Sequence, residues 1–135
     1  MRLGIVVSET YWELLTSKML DLALKTAKEN KVETEVLKVP GSFDIPYGTQ
    51  ILLEKEKIDG VVTLGAVVQG KTDHDGVISY AVANKLLDLQ QKYEKPVVLG
   101  INGPKMNREQ AIERIPRAAE VTKACIQMIN ATSNK

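Results

Sequence analysis

Four short apolar segments of the chain are rich in β-branched residues, which is typical of β-strands. Three of them show no alternation with polar residues, as in strands whose two faces are both buried. The remaining segment, Val36–Val39, follows a polar stretch and carries Lys38, which favours the edge of a sheet. The predicted strands are Leu3–Val7, Val36–Val39 (the edge strand), Val61–Val68 and Val97–Ile101.

Apolar residues recur at steps of three and four between these segments, which predicts amphipathic helices. One such pattern runs from Leu15 to Ala27 and another from Ile78 to Tyr93. A shorter helix is predicted from Pro46 to about Lys55, because proline is favoured in the first turn. The last pattern, from Asn107 to Asn130, contains Pro116 and is therefore expected to kink or break there.

Strands and helices alternate along the chain, and this order predicts a parallel sheet covered by helices on both faces. We expect an α/β fold, a three-layer flavodoxin-like sandwich around a central four-stranded parallel sheet with the first strand inside it. No linker, repeat or low-complexity segment interrupts residues 1–135, so a single domain is predicted. The loops that follow parallel strands meet at one edge of the sheet, where ligands bind. The candidate loops are residues 8–12, 40–44, 69–75 and 102–107.

Charge and composition argue against several classes of function. Lysine and arginine total 18 and aspartate and glutamate total 17, with no basic cluster. Nucleic acids and anionic membranes require a concentrated positive field, so neither is an expected partner. No segment approaches the roughly 18 to 20 apolar residues of a membrane span or resembles a signal peptide, so a cytoplasmic protein is expected. The only cysteine, Cys125, lies on a helical apolar stripe and is expected in the core.

The segment Gly65–Thr72 matches the Walker A pattern of phosphate-binding loops. We expect this match to be fortuitous, because Ala66–Val68 continues a predicted buried strand and no strand ends in an acidic residue suited to holding Mg²⁺. The turn at Gly70 still precedes a helix, so its N–H groups and the Thr72 hydroxyl are candidates for binding an anion. A plain glycine turn capped by Thr72 or Asp73 is the alternative interpretation.

Two interpretations stay open for the other candidate residues. His74, the only histidine, is either a solvated side chain or a proton carrier beside the anion site. Phe43 and Asp44 lie in a rigid loop between two prolines, either as core residue and helix cap or as ligands of a polyol. Tyr11 and Trp12 either pack at the start of a helix or stack on a planar heterocycle.

Three segments together resemble, in order and spacing, the signature segments of the lumazine synthase family. They are Val39–Pro46 (VPGSFDIP), Gly65–Asp75 (GAVVQGKTDHD) and Glu109–Arg114 (EQAIER). The resemblance covers nearly the whole chain and implies a transferase of riboflavin biosynthesis. That family condenses 5-amino-6-(D-ribitylamino)uracil with 3,4-dihydroxy-2-butanone 4-phosphate to 6,7-dimethyl-8-ribityllumazine. No metal ion or organic cofactor is implied.

The resemblance assigns a phosphate and proton-transfer region by position. His74 matches the proton-transfer histidine, and Lys71 and Thr72 match the phosphate-binding pair. Arg114 matches an arginine that contacts the phosphate from an adjacent subunit. Leu99 occupies a position where many members place an aromatic residue. A homo-oligomer with sites between subunits is therefore implied, either a pentamer or a shell of pentamers.

The resemblance also assigns a region for the other substrate. Ser42, Phe43 and Asp44 match the segment that grips the ribityl chain and the pyrimidine. The loop that contains Tyr11 and Trp12 is one residue longer than is usual in the family, so either ring is a candidate for stacking. Backbone groups facing the heterocycle are expected from Ala66, Val67 and Val68.

Two rival functions remain on the sequence alone. The lumazine-like form of riboflavin synthase uses two lumazine molecules, whereas His74 and the anion-binding turn at Gly70 favour a reaction with a phosphorylated substrate. A non-catalytic flavodoxin-like binding module is the other rival. Residues 8–12 are too bulky for a flavin phosphate loop, and residues 66–68 offer no aspartate for a phosphoacceptor domain.

Overall fold

The structure, a computed structural model, describes residues 1–133, which form a four-stranded parallel sheet with helices on both faces. The strands are β1 (Arg2–Ser8), β2 (Glu33–Val39), β3 (Gly60–Ala66) and β4 (Val97–Asn102). The helices are α1 (Ser17–Glu29), α2 (Ile45–Leu53), α3 (His74–Tyr93), α4 (Arg108–Glu113) and α5 (Arg117–Thr132). A π-helical turn (Trp12–Thr16) precedes α1, and a 3₁₀ turn (Ser42–Asp44) precedes α2.

The strand order in the sheet is β2-β1-β3-β4, and all neighbouring strands are parallel. This order places β1 inside the sheet and β2 at an edge, which confirms the flavodoxin-like α/β fold predicted from the sequence. Because the strands are parallel, their carboxyl ends lie at one edge, together with the loops that lead into the helices.

Each face of the sheet has its own core. On one face Leu3, Ile5 and Val7 of β1 pack with residues of α1 and α5. On the other face Val6 packs with residues of α2 and α3, as expected from the alternation of side chains along a strand. Cys125 belongs to the first core, is fully buried, and has a thiol whose pKa burial raises to about 12. Its predicted place in the core is confirmed.

Two of the strand predictions were wrong. The strand β4 pairs only with β3 and is therefore a second edge, where Leu99 is 46% exposed. The strand β3 ends at Ala66, not at Val68. The last bond of its ladder with β4 runs from the Val67 N–H to the carbonyl of Asn102 at 2.7 Å. Because β4 itself ends at Asn102, the chain has no further partner there and leaves the sheet.

The predicted break at Pro116 is confirmed, since α4 ends at Glu113 and α5 begins at Arg117. The start of α4 is fixed by a capping box, in which the Asn107 side chain accepts from the Gln110 N–H at 2.8 Å and the Gln110 side chain accepts from the Asn107 N–H at 2.9 Å. In the described part of the chain no helix is both long enough and apolar enough to cross a membrane.

Candidate active site

A cavity of about 220 Å³ lies at the carboxyl edge of the sheet, where the loops after β1, β2 and β3 meet α3. Six of the predicted site residues line it: Tyr11, Ser42, Phe43, Ala66, Val67 and Val68. The other lining residues, which the sequence analysis did not single out, are Thr10, Gly41 and Ile78. These three could have been found from their position in the sequence. Thr10 and Gly41 lie in two of the candidate loops, and Ile78 follows the candidate residue His74 by four residues, one helical turn.

Hydrogen bonds join the first two loops into one wall of the cavity. The Glu9 N–H donates to the Val39 carbonyl at 2.8 Å, and the Thr10 hydroxyl donates to the Pro40 carbonyl at 3.0 Å. The Thr10 N–H donates to the Ser8 hydroxyl oxygen at 3.2 Å. These contacts tie the loop that carries Tyr11 to the loop that carries residues 41–43, so this wall is formed before any ligand binds.

The structure separates the two adjacent aromatic residues. Tyr11 has a left-handed backbone conformation, with φ 60°, and lines the cavity. The Arg108 guanidinium lies 5.8 Å from the centroid of its ring. Trp12 packs instead against the core beneath α1 and α5, and the Lys38 ammonium lies 4.4 Å from the centroid of its ring. Of the two rings, only that of Tyr11 is placed to meet a ligand in the cavity of this chain.

The loop after β2 presents one unpaired hydroxyl and one exposed ring. Ser42 is buried, and its hydroxyl has no hydrogen-bond partner within residues 1–133. Phe43 is 69% exposed, so its interpretation as a core residue was wrong. Asp44 precedes α2 but makes no side-chain cap, because its carboxylate accepts from the Gly41 N–H at 3.0 Å. The Asp44 side chain thus holds the loop in shape, while the Ser42 hydroxyl is turned inwards and lies 2.9 Å from where a Cβ on Gly65 would be.

The turn after β3 leads directly to the only histidine. Helix α3 begins at His74, whose N–H donates to the Thr72 hydroxyl oxygen at 3.4 Å. Lys71, Thr72 and His74 are exposed and lie outside the residues that line the cavity. Residues four apart share a helix face, so His74 lies one turn above the cavity-lining Ile78, towards the helix N-terminus. The free N–H groups and the dipole of that terminus favour an anion there.

The match of Gly65–Thr72 to the Walker A pattern does not form a phosphate-binding loop, but the reason differs from the one expected from the sequence. Val67 and Val68 do not continue the strand, whereas Gly65 and Ala66, with which the pattern starts, lie inside β3. Only residues 67–69 are then left to reach Gly70, which is too few to wrap around a phosphate chain. The four strands end in Ser8, Val39, Ala66 and Asn102, none of them acidic. Residues 1–133 also contain no group of three or more His, Cys, Asp or Glu side chains placed to bind a metal ion.

Comparison with known proteins identifies the family. The sequence model of the 6,7-dimethyl-8-ribityllumazine synthase family matches residues 1–133. The chain belongs to this family. Lumazine synthases are transferases of riboflavin biosynthesis that act on small molecules. The activity of the chain is that of a lumazine synthase.

Three relatives with that same name show the extent of the likeness. The protein of Methanopyrus kandleri is 46% identical over 130 residues, which cover 95% of this chain and 91% of the relative. That of Saccharolobus solfataricus is 46% identical over 133 residues, covering 97% and 86%. That of Picrophilus torridus is 46% identical over 129 residues, covering 95% and 94%. A solved flavodoxin of Streptococcus pneumonia TIGR4 superimposes with a TM-score of 0.48 at 15% identity, covering 92% of this chain and 99% of the flavodoxin.

Two residues that the resemblance to lumazine synthases assigned to the site lie away from the cavity of their own chain. Arg114 is the C-cap residue that directly follows α4, and it lines a second, polar cavity of about 310 Å³. Leu99 lies on the exposed edge strand β4. Within residues 1–133 the Arg114 guanidinium forms no ion pair or side-chain hydrogen bond. The polar cavity is lined by Pro104, Lys105, Met106, Gln110, Glu113 and Arg114.

Proposed function

We propose that the chain condenses 5-amino-6-(D-ribitylamino)uracil with 3,4-dihydroxy-2-butanone 4-phosphate, releasing phosphate, two waters and 6,7-dimethyl-8-ribityllumazine. The observation that carries this proposal is the cavity at the sheet edge, which joins Tyr11, Ser42 and Phe43 and lies beside the helix that begins at His74. The reaction is assigned to the cytoplasm because charged phosphate esters do not cross a bilayer unaided.

The pyrimidine and its ribityl chain are assigned to the cavity itself. The Tyr11 ring offers a stacking surface, and the loop of residues 41–43 lines the same cavity, along which the ribityl chain would lie. The Val67 N–H is already taken by Asn102, whereas the Val68 N–H has no partner within residues 1–133. A donor to the heterocycle therefore comes from Val68, and Phe43 closes the open side.

The phosphorylated substrate is assigned to the turn before α3. Lys71, Thr72 and the first N–H groups of α3 supply positive charge and donors for the phosphate. Attack of the amine on the ketone, imine formation, loss of phosphate and ring closure each move a proton, and His74 beside this turn is the group that moves it. The rest of the rate enhancement comes from holding the two substrates together.

The assembly is proposed as a head-to-tail homo-oligomer, a pentamer or a shell of pentamers. Large apolar side chains are exposed on two different surfaces of the chain, and head-to-tail contacts join two such surfaces into a ring. One surface lies around α2 and α3 and the other includes β4 and α4, so the contact would bring Leu99 and Arg114 to the cavity of a neighbour. The exposed residues are Phe43, Tyr47, Val77, Tyr80 and Leu87 on the first surface, and Leu99 and Ile112 on the second.

The direct test of the activity is to mix the purified protein with both substrates and follow the lumazine chromophore. We expect product to form well above the uncatalysed rate, and only when both substrates are present. Lumazine supplied alone should yield no riboflavin. Product at the background rate only would contradict the proposed reaction, and riboflavin formed from lumazine alone would favour the rival synthase.

The different positions of Tyr11 and Trp12 give a matched pair of variants. Tyr11→Ala should raise KM for the pyrimidine about five- to tenfold, because it removes a stacking surface. Trp12→Ala should leave that KM within about twofold but lower the free energy of unfolding by about 2 kcal/mol, because Trp12 packs against the core. Steady-state kinetics and denaturant unfolding measure both. The opposite assignment of the two effects would show that Trp12 is the stacking ring.

A further inference from the structure

Asp75, the residue after His74, forms a contact that the proposed mechanism does not use. It lies in the first turn of α3 and is 4% exposed. Its carboxylate accepts a hydrogen bond from the Lys105 N–H at 2.8 Å, across 30 residues of sequence. Burying a carboxylate is costly unless it is hydrogen-bonded, so this contact fixes where the first turn of α3 lies.

The loop that donates this hydrogen bond is itself firmly held. The Gln69 N–H donates to the Met106 carbonyl at 2.8 Å, beside the bond from Val67 to Asn102. Gly103 has φ 121°, and a Cβ there would lie 2.4 Å from the Val67 carbonyl oxygen, so the loops after β3 and β4 are in close contact. Lys105 has a left-handed backbone, with φ 61°, which the bond from its N–H to Asp75 helps to hold.

His74 has little else to fix its position. Apart from the bonds within α3 itself, its one hydrogen bond within residues 1–133 is the 3.4 Å contact from its backbone N–H to Thr72, and 3.4 Å is long for a hydrogen bond. Neither Lys71 nor Thr72 is buried. The hydrogen bond between Asp75 and Lys105 therefore ties the start of α3 to the loop after β4.

We propose that Asp75 is a positioning residue, which holds the first turn of α3 against the loop after β4 and thereby sets the place of the His74 imidazole beside the cavity. This proposal rests on the proposed role of His74 in proton transfer. The hydrogen bond to Lys105 is the operative feature, not the negative charge of the carboxylate. Proton transfer depends steeply on distance, so a small displacement of His74 lowers turnover more than it lowers substrate binding.

The test compares Asp75→Ala with Asp75→Asn. Alanine removes the acceptor, and kcat should fall about five- to tenfold while both KM values stay within about twofold. Asparagine keeps an oxygen acceptor without the charge and should retain at least about half of kcat. Hydrogen exchange at the Lys105 amide, which needs no substrate, should be faster in Asp75→Ala than in the wild type and in Asp75→Asn.

A double variant separates positioning from a general loss of stability. If Asp75 acts through His74, then His74→Ala/Asp75→Ala should be as active as His74→Ala alone. Thr122→Val, which removes a buried hydroxyl bonded to Ala118 in α5, is the matched control and should lower stability without changing kcat of the folded protein. Should Asp75→Ala not fold, Asp75→Ser, whose hydroxyl is too short to reach Lys105, should show the same loss of kcat.

The outcomes distinguish this proposal from the proposed function. A wild-type protein that forms lumazine, with Asp75→Ala (or Asp75→Ser) at full kcat, overturns the positioning role alone. Losses of kcat that add in the double variant overturn it as well, since they indicate a structural effect independent of His74. A wild-type protein that forms no lumazine overturns the proposed function and this proposal together.

Discussion

Arg114→Ala is expected to lower kcat/KM for the phosphorylated substrate about 10- to 100-fold, mainly through KM, with KM for the pyrimidine within about twofold. A guanidinium binds a phosphate through charge-assisted hydrogen bonds, and losing them costs one to two powers of ten in affinity. Since Arg114 lies outside the cavity of its own chain, the loss would be felt in a neighbour's site. Steady-state kinetics with each substrate varied in turn measures the two effects separately.

Lys123→Ala is the matched control for this loss of charge. Lys123 is an exposed cation on α5, and no site residue is assigned there. Both KM values should therefore be unchanged in Lys123→Ala. Equal increases in KM for the two substrates in Arg114→Ala would contradict a specific contact with the phosphate. An effect of the same size in Lys123→Ala would point to the overall charge of the protein instead.

His74→Ala is expected to lower kcat about 10- to 100-fold and to leave both KM values within about threefold. General acid–base catalysis typically contributes about 100-fold or more, and the loss expected here is at or below the lower end because the positioning of the two substrates survives the substitution and leaves residual activity. Single-turnover measurements with both substrates saturating follow the chemical steps directly. Because the chain has one histidine, NMR titration of the wild-type imidazole reports on this residue alone.

Added imidazole provides the control for His74→Ala. Free imidazole that enters the space vacated in His74→Ala should restore part of kcat. The same addition should not change kcat of Arg114→Ala. His74→Gln can form hydrogen bonds but cannot carry a proton near neutral pH, so it should remain as slow as His74→Ala. A normal kcat in His74→Ala, with raised KM values, would mean that the residue binds substrate and does not move protons.

The positions of the strands along the chain and the break at Pro116 could be predicted because they depend on local patterns. β-Branched runs, helical spacing and the missing proline N–H act within a few residues. The end of β3 could not be predicted, since Val67 and Val68 are as apolar as the strand itself. The strand ends where its partner β4 ends, at Asn102, which lies far along the chain. The exposure of Leu99 likewise depends on the absence of a fifth strand beside β4 among the described residues.

For the candidate site, too, only the features that depend on local patterns or on the fold type could be predicted from the sequence. Its loops could be predicted because parallel strands bring their carboxyl ends together, whichever residues follow. The different positions of the Tyr11 and Trp12 rings could not be predicted, since Tyr11 has a left-handed backbone that composition and periodicity do not indicate. Two hydrogen bonds could not be predicted either: the Gly41 N–H donates to the Asp44 carboxylate, and the Lys105 N–H donates to that of Asp75. Each carboxylate has several possible partners, and composition and periodicity do not show which one the fold brings close.

The most direct test of the shared site is complementation between two weakly active variants. Chains carrying His74→Ala and chains carrying Arg114→Ala are co-expressed with different tags, and the mixed oligomers are purified through both tags. If each site takes His74 from one chain and Arg114 from its neighbour, about a quarter of the sites in a random mixture are intact, and a similar share of wild-type activity should return. Activity no higher than the average of the two variants alone would show that each chain builds its site by itself.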